Sequence, residues 1–128
     1  MNAPILIVDD NATNLKLASD VLAYEGCTVE AAESAERALE VLRRFRPELI
    51  LMDLSMPGMD GLTLTRKLKA DPAYRDITIV ALTASAMKGD DRRAIEAGCS
   101  GYITKPIDTR RCPAQVAAYL PSPPPKAS

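Results

Sequence analysis

Hydrophobic and polar residues along this chain form a repeating pattern of short apolar runs and longer segments with helical periodicity. Five such pairs occur, in the order PILIVDD with Asn14 to Tyr24, CTVEAA with Ala35 to Phe45, ELILMD with Leu62 to Lys69, ITIVALT with Met87 to Ala97, and GYITKP with a last helix near Ala114 to Leu120. This alternation of strands and helices predicts a parallel sheet that is covered by helices on both faces.

The length and the continuity of each apolar run predict its place in the sheet. Ile5 to Val8, Leu49 to Met52 and Ile77 to Leu82 are continuously apolar, as strands buried on two sides should be. CTVEAA is weaker and GYI is short, so these two are the natural edge strands. The predicted fold is therefore α/β and flavodoxin-like, a doubly wound (βα)5 unit with a five-stranded parallel sheet of order 2-1-3-4-5.

Polar residues and prolines predict where the helices begin and end. Ser34 is placed to cap the second helix, whose apolar stripe runs to Phe45, and Pro47 is expected to stop it. Phe45 is expected to pack in the core. Pro113 cannot occupy a helix interior without clashing with the preceding turn, so the last helix should either start late, near Cys112, or be kinked.

Length and composition limit the possible classes of protein. The chain has 128 residues, of which 47% are hydrophobic and 26% charged, which suits one globular domain. We expect this domain to span residues 1–120, followed by a disordered proline-rich tail over residues 121–128. No apolar run approaches the length of about 20 residues that crosses a membrane, and no signal peptide is evident, so a soluble, cytoplasmic protein without a membrane partner is predicted.

Cysteine, histidine and aromatic content exclude several kinds of site. Cys27, Cys99 and Cys112 are widely spaced, and the chain has no histidine, which argues against a disulfide framework or a zinc site. Aromatic residues make up 4% of the chain and no dense basic run is present, so nucleic-acid binding is not supported.

Polar side chains follow the predicted strands at one edge of the sheet. Asp9 and Asp10 end the first strand, Asp53 ends the third, Thr83 ends the fourth and Lys105 follows the fifth. In open parallel sheets, ligands bind beyond the carboxyl ends of the strands where the strand order reverses, here between strands 1 and 3. We therefore expect three carboxylates, a hydroxyl and an ammonium group to share one crevice.

These residue types favour a metal-assisted reaction of an anion. Three neighbouring carboxylates repel one another unless a cation lies among them, and Mg²⁺ suits carboxylate ligands and a shared phosphate best. A carboxylate such as Asp53 can attack phosphorus and form an acyl phosphate. The ion and Lys105 would then neutralise charge on the phosphoryl oxygens.

Four motifs carry a resemblance to a known family. ILIVDDN, LILMDLSMPGMDG, ALTASAMKGDDRR and GYITKPI, in this order and spacing, resemble the receiver domain of two-component response regulators over residues 4 to 120. The stretch AMKGDDRR and the absence of an output domain make the chain most similar to the single-domain regulators of bacterial cell-cycle and division signalling.

The resemblance implies a role for each carboxylate. Asp53 would accept a phosphoryl group from a phosphohistidine on a sensor histidine kinase or histidine phosphotransfer protein. Asp10, Asp53 and the backbone carbonyl of Ser55 would bind Mg²⁺, and Asp9 would act mainly through water. The protein would thus be a stoichiometric phosphoacceptor, with intrinsic phosphotransfer and autodephosphorylation chemistry, and not an enzyme.

The resemblance also implies how the phosphoryl group is held and sensed. Thr83 and the backbone amide of Ala84 would each bind a phosphoryl oxygen, and Lys105 would pair with another. The peptide bond from Lys105 to Pro106 would be cis. Thr83 would move toward the phosphate as Tyr102 turns inward, which would repack a face of the fourth helix, fifth strand and fifth helix for a downstream protein.

Two alternatives stay open at this point. A receiver-like module could bind partners without phosphorylation, although all five site residues are present. DDNAT after an apolar strand is also similar to aspartyl phosphatases of the haloacid dehalogenase type. Those enzymes need a second acid where this chain has Asn11, and they need a cap insertion for which the chain has no room.

Overall fold

The computed structural model describes residues 3–54, 61–83, 90–104 and 107–120. Within these ranges, five strands alternate with five helices, as the apolar pattern predicts. The elements are β1 (Pro4–Val8), α1 (Ala12–Tyr24), β2 (Thr28–Ala32), α2 (Ala35–Leu42), β3 (Leu49–Asp53), α3 (Gly61–Ala70), β4 (Thr78–Thr83), α4 (Asp90–Ala97), β5 (Gly101–Thr104) and α5 (Cys112–Tyr119).

The sheet has the predicted topology. All neighbouring strands are parallel, and their spatial order is β2-β1-β3-β4-β5. The strand order reverses between β1 and β3, so a crevice opens beyond the carboxyl ends of these two strands. The predicted order 2-1-3-4-5 is confirmed.

Burial distinguishes the central strands from the edge strands. All of β3 and nearly all of β1 and β4 are buried, whereas β2 is partly exposed and β5 alternates between buried and exposed residues. Two apolar clusters hold the layers together: one joins the sheet to α2, α3 and α4, and the other joins it to α1 and α5. The helices therefore cover both faces, as a buried parallel sheet requires.

The start of α2 is confirmed and its end differs from the prediction. The Ser34 hydroxyl accepts a hydrogen bond from the backbone N–H of Arg37 at 3.1 Å, so Ser34 is the N-cap. The helix ends at Leu42, before Pro47 is reached, because the N–H of Arg43 already bonds three residues back and tightens the last turn. Phe45 lies beyond the helix but packs against the core, as expected.

The structure distinguishes between the two predictions for the last helix. α5 begins at Cys112, and Pro113 is its second residue. A proline in the first turn removes only an N–H that has no partner within the helix, so Pro113 is tolerated there. The late start is confirmed, and the chain needs no kink to accommodate the proline.

The remaining boundaries differ from prediction by a few residues. α1 begins at Ala12, two residues before the predicted start, because the Asn11 side chain caps it by accepting a hydrogen bond from the N–H of Asn14 at 3.0 Å. The predicted start of α4 at Met87 lies outside the described residues, as does the proline-rich tail over 121–128. In the part of the chain that the structure describes, no helix is long and apolar enough to cross a membrane.

Candidate functional site

Three carboxylates meet where β1 and β3 end. Each of Asp9, Asp10 and Asp53 contributes an oxygen atom, and these three oxygens lie within 4.8 Å of one another. Asp9 and Asp53 are buried, with 0% and 1% of their surface exposed, while Asp10 is exposed at the mouth of the crevice. The predicted convergence of these three residues is therefore present in the structure.

The register of the strands explains this convergence. Val8 pairs with Met52, so the next residues, Asp9 and Asp53, emerge side by side at the same level of the sheet. Asp53 pairs in turn with Leu82, and Thr83 is the next residue of β4. The parallel pairing therefore places Asp9 beside Asp53, and Thr83 one residue beyond the β4 partner of Asp53.

The end of β5 lies beside the end of β4. Thr83 is 1% exposed and pairs with Thr104, the last residue of β5. Lys105 follows Thr104 directly in the sequence. Four residues to which the sequence analysis assigned roles lie outside the described residues: Ser55, Ala84, Lys105 and Pro106.

Asp9 is held by the start of α1. Its Oδ1 atom accepts a hydrogen bond from the backbone N–H of Asn11 at 2.8 Å, and its own N–H donates to the carbonyl of Ala32 at 3.1 Å. Asn11 also caps α1, so one short turn orients the carboxylate and begins the helix. The positive end of the α1 dipole therefore faces the acidic crevice.

Gly61, the last residue of the motif LILMDLSMPGMDG, supports the site although the sequence analysis assigned it no role. A Cβ atom at this position would overlap the backbone carbonyl of Asp53 and lie 3.0 Å from the Cα of Leu54. The first turn of α3 thus packs directly on the backbone that carries Asp53. The glycine stands out in the sequence, but its contact with Asp53 depends on the approach angle of α3, which spacing alone does not reveal.

The donor set fits a hard divalent cation. The cluster offers oxygen atoms only, two of its three carboxylates are buried, and buried charges of one sign are costly without a compensating charge. Carboxylate oxygens are the ligands that Mg²⁺ and Ca²⁺ prefer. Asp9, Asp10 and Asp53 could therefore hold a metal ion.

Tyr102 occupies the position that the sequence analysis assigned to a switch. It lies in β5 opposite Ala81, and its side chain is 38% exposed. The neighbouring residues Gly101 and Ile103 are buried, so Tyr102 points to the other face of the strand. An aromatic ring in this position is accessible from the surface beside α4.

Fold, crevice and acidic cluster together define a class of protein. The response regulator receiver domain family matches residues 5–117 of this chain. The chain therefore belongs to this family, and the resemblance drawn from its motifs is confirmed. Members of the class are signalling proteins.

Particular relatives support this assignment along nearly the whole chain. The chain is 40% identical to the polar-differentiation response regulator DivK of Brucella ovis over 120 residues, which cover 94% of this chain and 98% of the relative. A CheY-like response regulator receiver domain protein from Methanospirillum hungatei is 28% identical, with a TM-score of 0.83 over 94% of both chains. The receiver domain of a signal transduction histidine kinase from Syntrophus aciditrophicus is 32% identical, with a TM-score of 0.84 over 98% of this chain and 96% of that one.

Proposed function

We propose that Asp53 accepts a phosphoryl group from a phosphohistidine on a sensor histidine kinase or histidine phosphotransfer protein. A carboxylate oxygen of Asp53 attacks phosphorus, the bond from phosphorus to the imidazole nitrogen breaks, and the imidazole leaves as the acyl phosphate forms. The observation that carries this proposal is the meeting of Asp9, Asp10 and Asp53 at the strand-order reversal.

The metal in this proposal is Mg²⁺. Asp10, Asp53 and the backbone carbonyl of Ser55 would hold it, and Asp9 would act mainly through water while its Oδ1 stays bonded to the N–H of Asn11. When bound, the ion supplies positive charge that offsets the negative charge spread over the transferring phosphoryl oxygens. Mg²⁺ is favoured over larger cations because it readily shares its coordination between carboxylates and a phosphate.

Three further groups would hold the phosphoryl oxygens. The hydroxyl of Thr83, which directly follows the β4 partner of Asp53, would donate a hydrogen bond to one oxygen. The backbone amide of Ala84 would help to bind it, and the Lys105 ammonium would pair with another oxygen. The cis peptide to Pro106, which costs little before a proline, would direct the lysine into the crevice.

The output step is a change in the surface formed by α4, β5 and α5. Thr83 would move toward the phosphate and the exposed Tyr102 ring would turn inward. Phosphorylation would add negative charge at Asp53 and change the packing of this surface. The affinity of the surface for a downstream protein would change as a result. Similarity to the polar-differentiation regulator DivK favours a signalling role in cell division or differentiation.

The remaining features fit a stoichiometric signalling domain and not an enzyme. Residues 1–120 would form the receiver domain, followed by the proline-rich tail over 121–128. All three cysteines are free and buried, which suits a reducing compartment such as the cytoplasm. The full acidic cluster argues against a module that works without phosphorylation, and family membership argues against a haloacid dehalogenase-type phosphatase.

Beryllofluoride binding tests this proposal, because the complex mimics a phosphoryl group on a carboxylate. With Mg²⁺ present, we expect bound fluorine signals in the ¹⁹F NMR spectrum of the wild type and none with Asp53→Asn. Asp20→Asn, which removes an exposed acid from α1, should bind like the wild type. Equal binding by Asp53→Asn and wild type, or no binding by the wild type, would disprove the proposal.

A further inference from the structure

A groove of about 610 Å³ separates α1 from the start of α5, and the proposed reaction does not use it. We call it the α1–α5 groove. Its walls include Val21, Tyr24 and Glu25 from α1 and Thr109, Arg110 and Pro113 from α5 and the turn before it. Tyr24 is 89% exposed, so most of its ring is available to a ligand and contributes little to the core.

We propose that residues 121–128, PSPPPKAS, dock in the α1–α5 groove of their own chain. This segment follows Leu120, the residue after α5. Leu120 and Val21 pack against the same apolar cluster, and Val21 also lines the groove. The segment therefore begins on the face of the sheet that carries the groove, at the opposite end of α5 from Pro113.

The backbone enters this segment in a conformation that suits such docking. Leu120 has φ −66° and ψ 135°, close to polyproline II, as expected for a residue that precedes a proline. Four of the next eight residues are prolines. Polyproline II segments dock on aromatic-lined grooves because little conformational entropy is lost on binding. The exposed ring of Tyr24 provides an aromatic surface of this kind.

Charge complementarity favours the same occupant. Glu25 is the C-cap of α1, and the last turn of this helix contains no basic residue, so its carboxylate adds to the negative end of the helix dipole. Asp20 pairs with Lys16 at 3.1 Å, whereas Glu25 forms no ion pair with any residue that the structure describes. Lys126 is the only charged side chain in the segment, and its ammonium would complement this helix end.

The segment is long enough to make both contacts. Polyproline II rises about 3.1 Å per residue, so Lys126 can lie roughly 19 Å from Leu120. Packed helices are about 8–10 Å apart. A segment of this length can therefore run back along α5, cross to the Tyr24 ring and place Lys126 near Glu25.

A spin label at the end of the full chain tests the proposal. The native cysteines are all buried, so a nitroxide can be attached selectively to Ser128→Cys. We expect the amide signals of Tyr24, Glu25 and Arg110 to be broadened several-fold more than in a control chain whose four tail prolines are replaced by glycine. Lys126→Glu should reduce the broadening toward the level of that control.

Variants of the groove complete the test. Tyr24→Ala should lower the broadening at Arg110, while Leu17→Ala, a matched change at an exposed residue of α1 outside the groove, should not. Equal broadening with proline and glycine tails would overturn the proposal, as would broadening that Tyr24→Ala leaves unchanged. Broadening seen only between a spin-labelled molecule and a separate ¹⁵N-labelled one would show that the tail binds a second copy, which also contradicts docking within one chain.

Discussion

Asp53 combines two properties that a purely structural residue would not need. Its carboxylate is almost fully buried at the end of a buried strand, and two other carboxylates lie within 4.8 Å. Burying a charge is costly unless partners compensate for it. A cation held among the three carboxylates would compensate for this cost, as the proposed reaction requires.

Gly61→Ala should disturb Asp53 without touching its side chain. The added methyl group would overlap the Asp53 carbonyl, so the start of α3 or the end of β3 must shift. Overpacking of this kind typically costs about 1–3 kcal/mol, and we expect slower phosphorylation by acetyl phosphate as well. Urea unfolding and the phosphorylation rate measure the two effects.

The control for this change is Lys67→Ala, at an exposed position of the same helix. Its free energy of unfolding should stay within about 0.5 kcal/mol of the wild type, as for most surface substitutions. Wild-type stability and wild-type phosphorylation rate in Gly61→Ala would show that the close approach of α3 to Asp53 is unimportant.

A buried thiol at the start of α5 makes the stability of the fold depend on pH in the alkaline range. Cys112 is the first residue of α5 and is 1% exposed. Burial, with a smaller contribution from nearby Cys27, raises the pKa of the Cys112 thiol from 9.0 to about 11. The folded state therefore keeps this proton at pH values where the unfolded chain has lost it.

This difference predicts a loss of stability between pH 9 and pH 11. A shift of about two pKa units corresponds to about 2–3 kcal/mol, which is present below pH 9 and lost as the pH rises through the folded-state pKa. Cys112→Ala removes the thiol, so the difference in unfolding free energy between wild type and variant should narrow over this range. Urea unfolding at several pH values measures this difference in unfolding free energy. A difference that stays constant with pH would contradict the raised pKa of Cys112.

Phosphorylation in the crevice should change the conformation of the whole molecule as far as the surface of α4 and β5. We expect beryllofluoride with Mg²⁺ to shift the amide signals of Ile95 and Tyr102, two exposed residues of that surface, in the wild type. Lys105→Ala should retain Mg²⁺ binding but lose most of these shifts, because the lysine is proposed to couple the phosphoryl group to the switch. Identical shifts in both proteins would contradict this coupling.

The sequence predicted the fold well because its signals are local. Continuous apolar runs identified the three buried strands, and the weaker runs identified β2 and β5 as edges. Helix ends were less predictable: α2 ends at Leu42 because of bonding within its last turn, and α1 starts at a cap, Asn11, that the periodicity does not mark. These boundaries depend on hydrogen bonds that a hydrophobic pattern does not encode.

The acidic cluster could also be predicted, because parallel strands bring their carboxyl ends to one edge. The register of β1, β3 and β4 then places Asp9 beside Asp53, with Thr83 one residue beyond the β4 partner of Asp53. The contact of Gly61 with the Asp53 backbone and the bond from Asn11 to Asp9 could not be predicted. The first depends on how α3 approaches the sheet, and the second is a local turn that the hydrophobic pattern does not encode.

Mapping the phosphoryl group is the most direct test of the central claim. After incubation with acetyl phosphate and Mg²⁺, the acyl phosphate is reduced with borohydride and the modified residue is identified by tandem mass spectrometry. We expect modification at Asp53 alone, lost when Mg²⁺ is chelated and strongly reduced by Asp10→Ala. Modification at Asp9 or Asp10 instead of Asp53, or an unmodified wild-type chain, would contradict it.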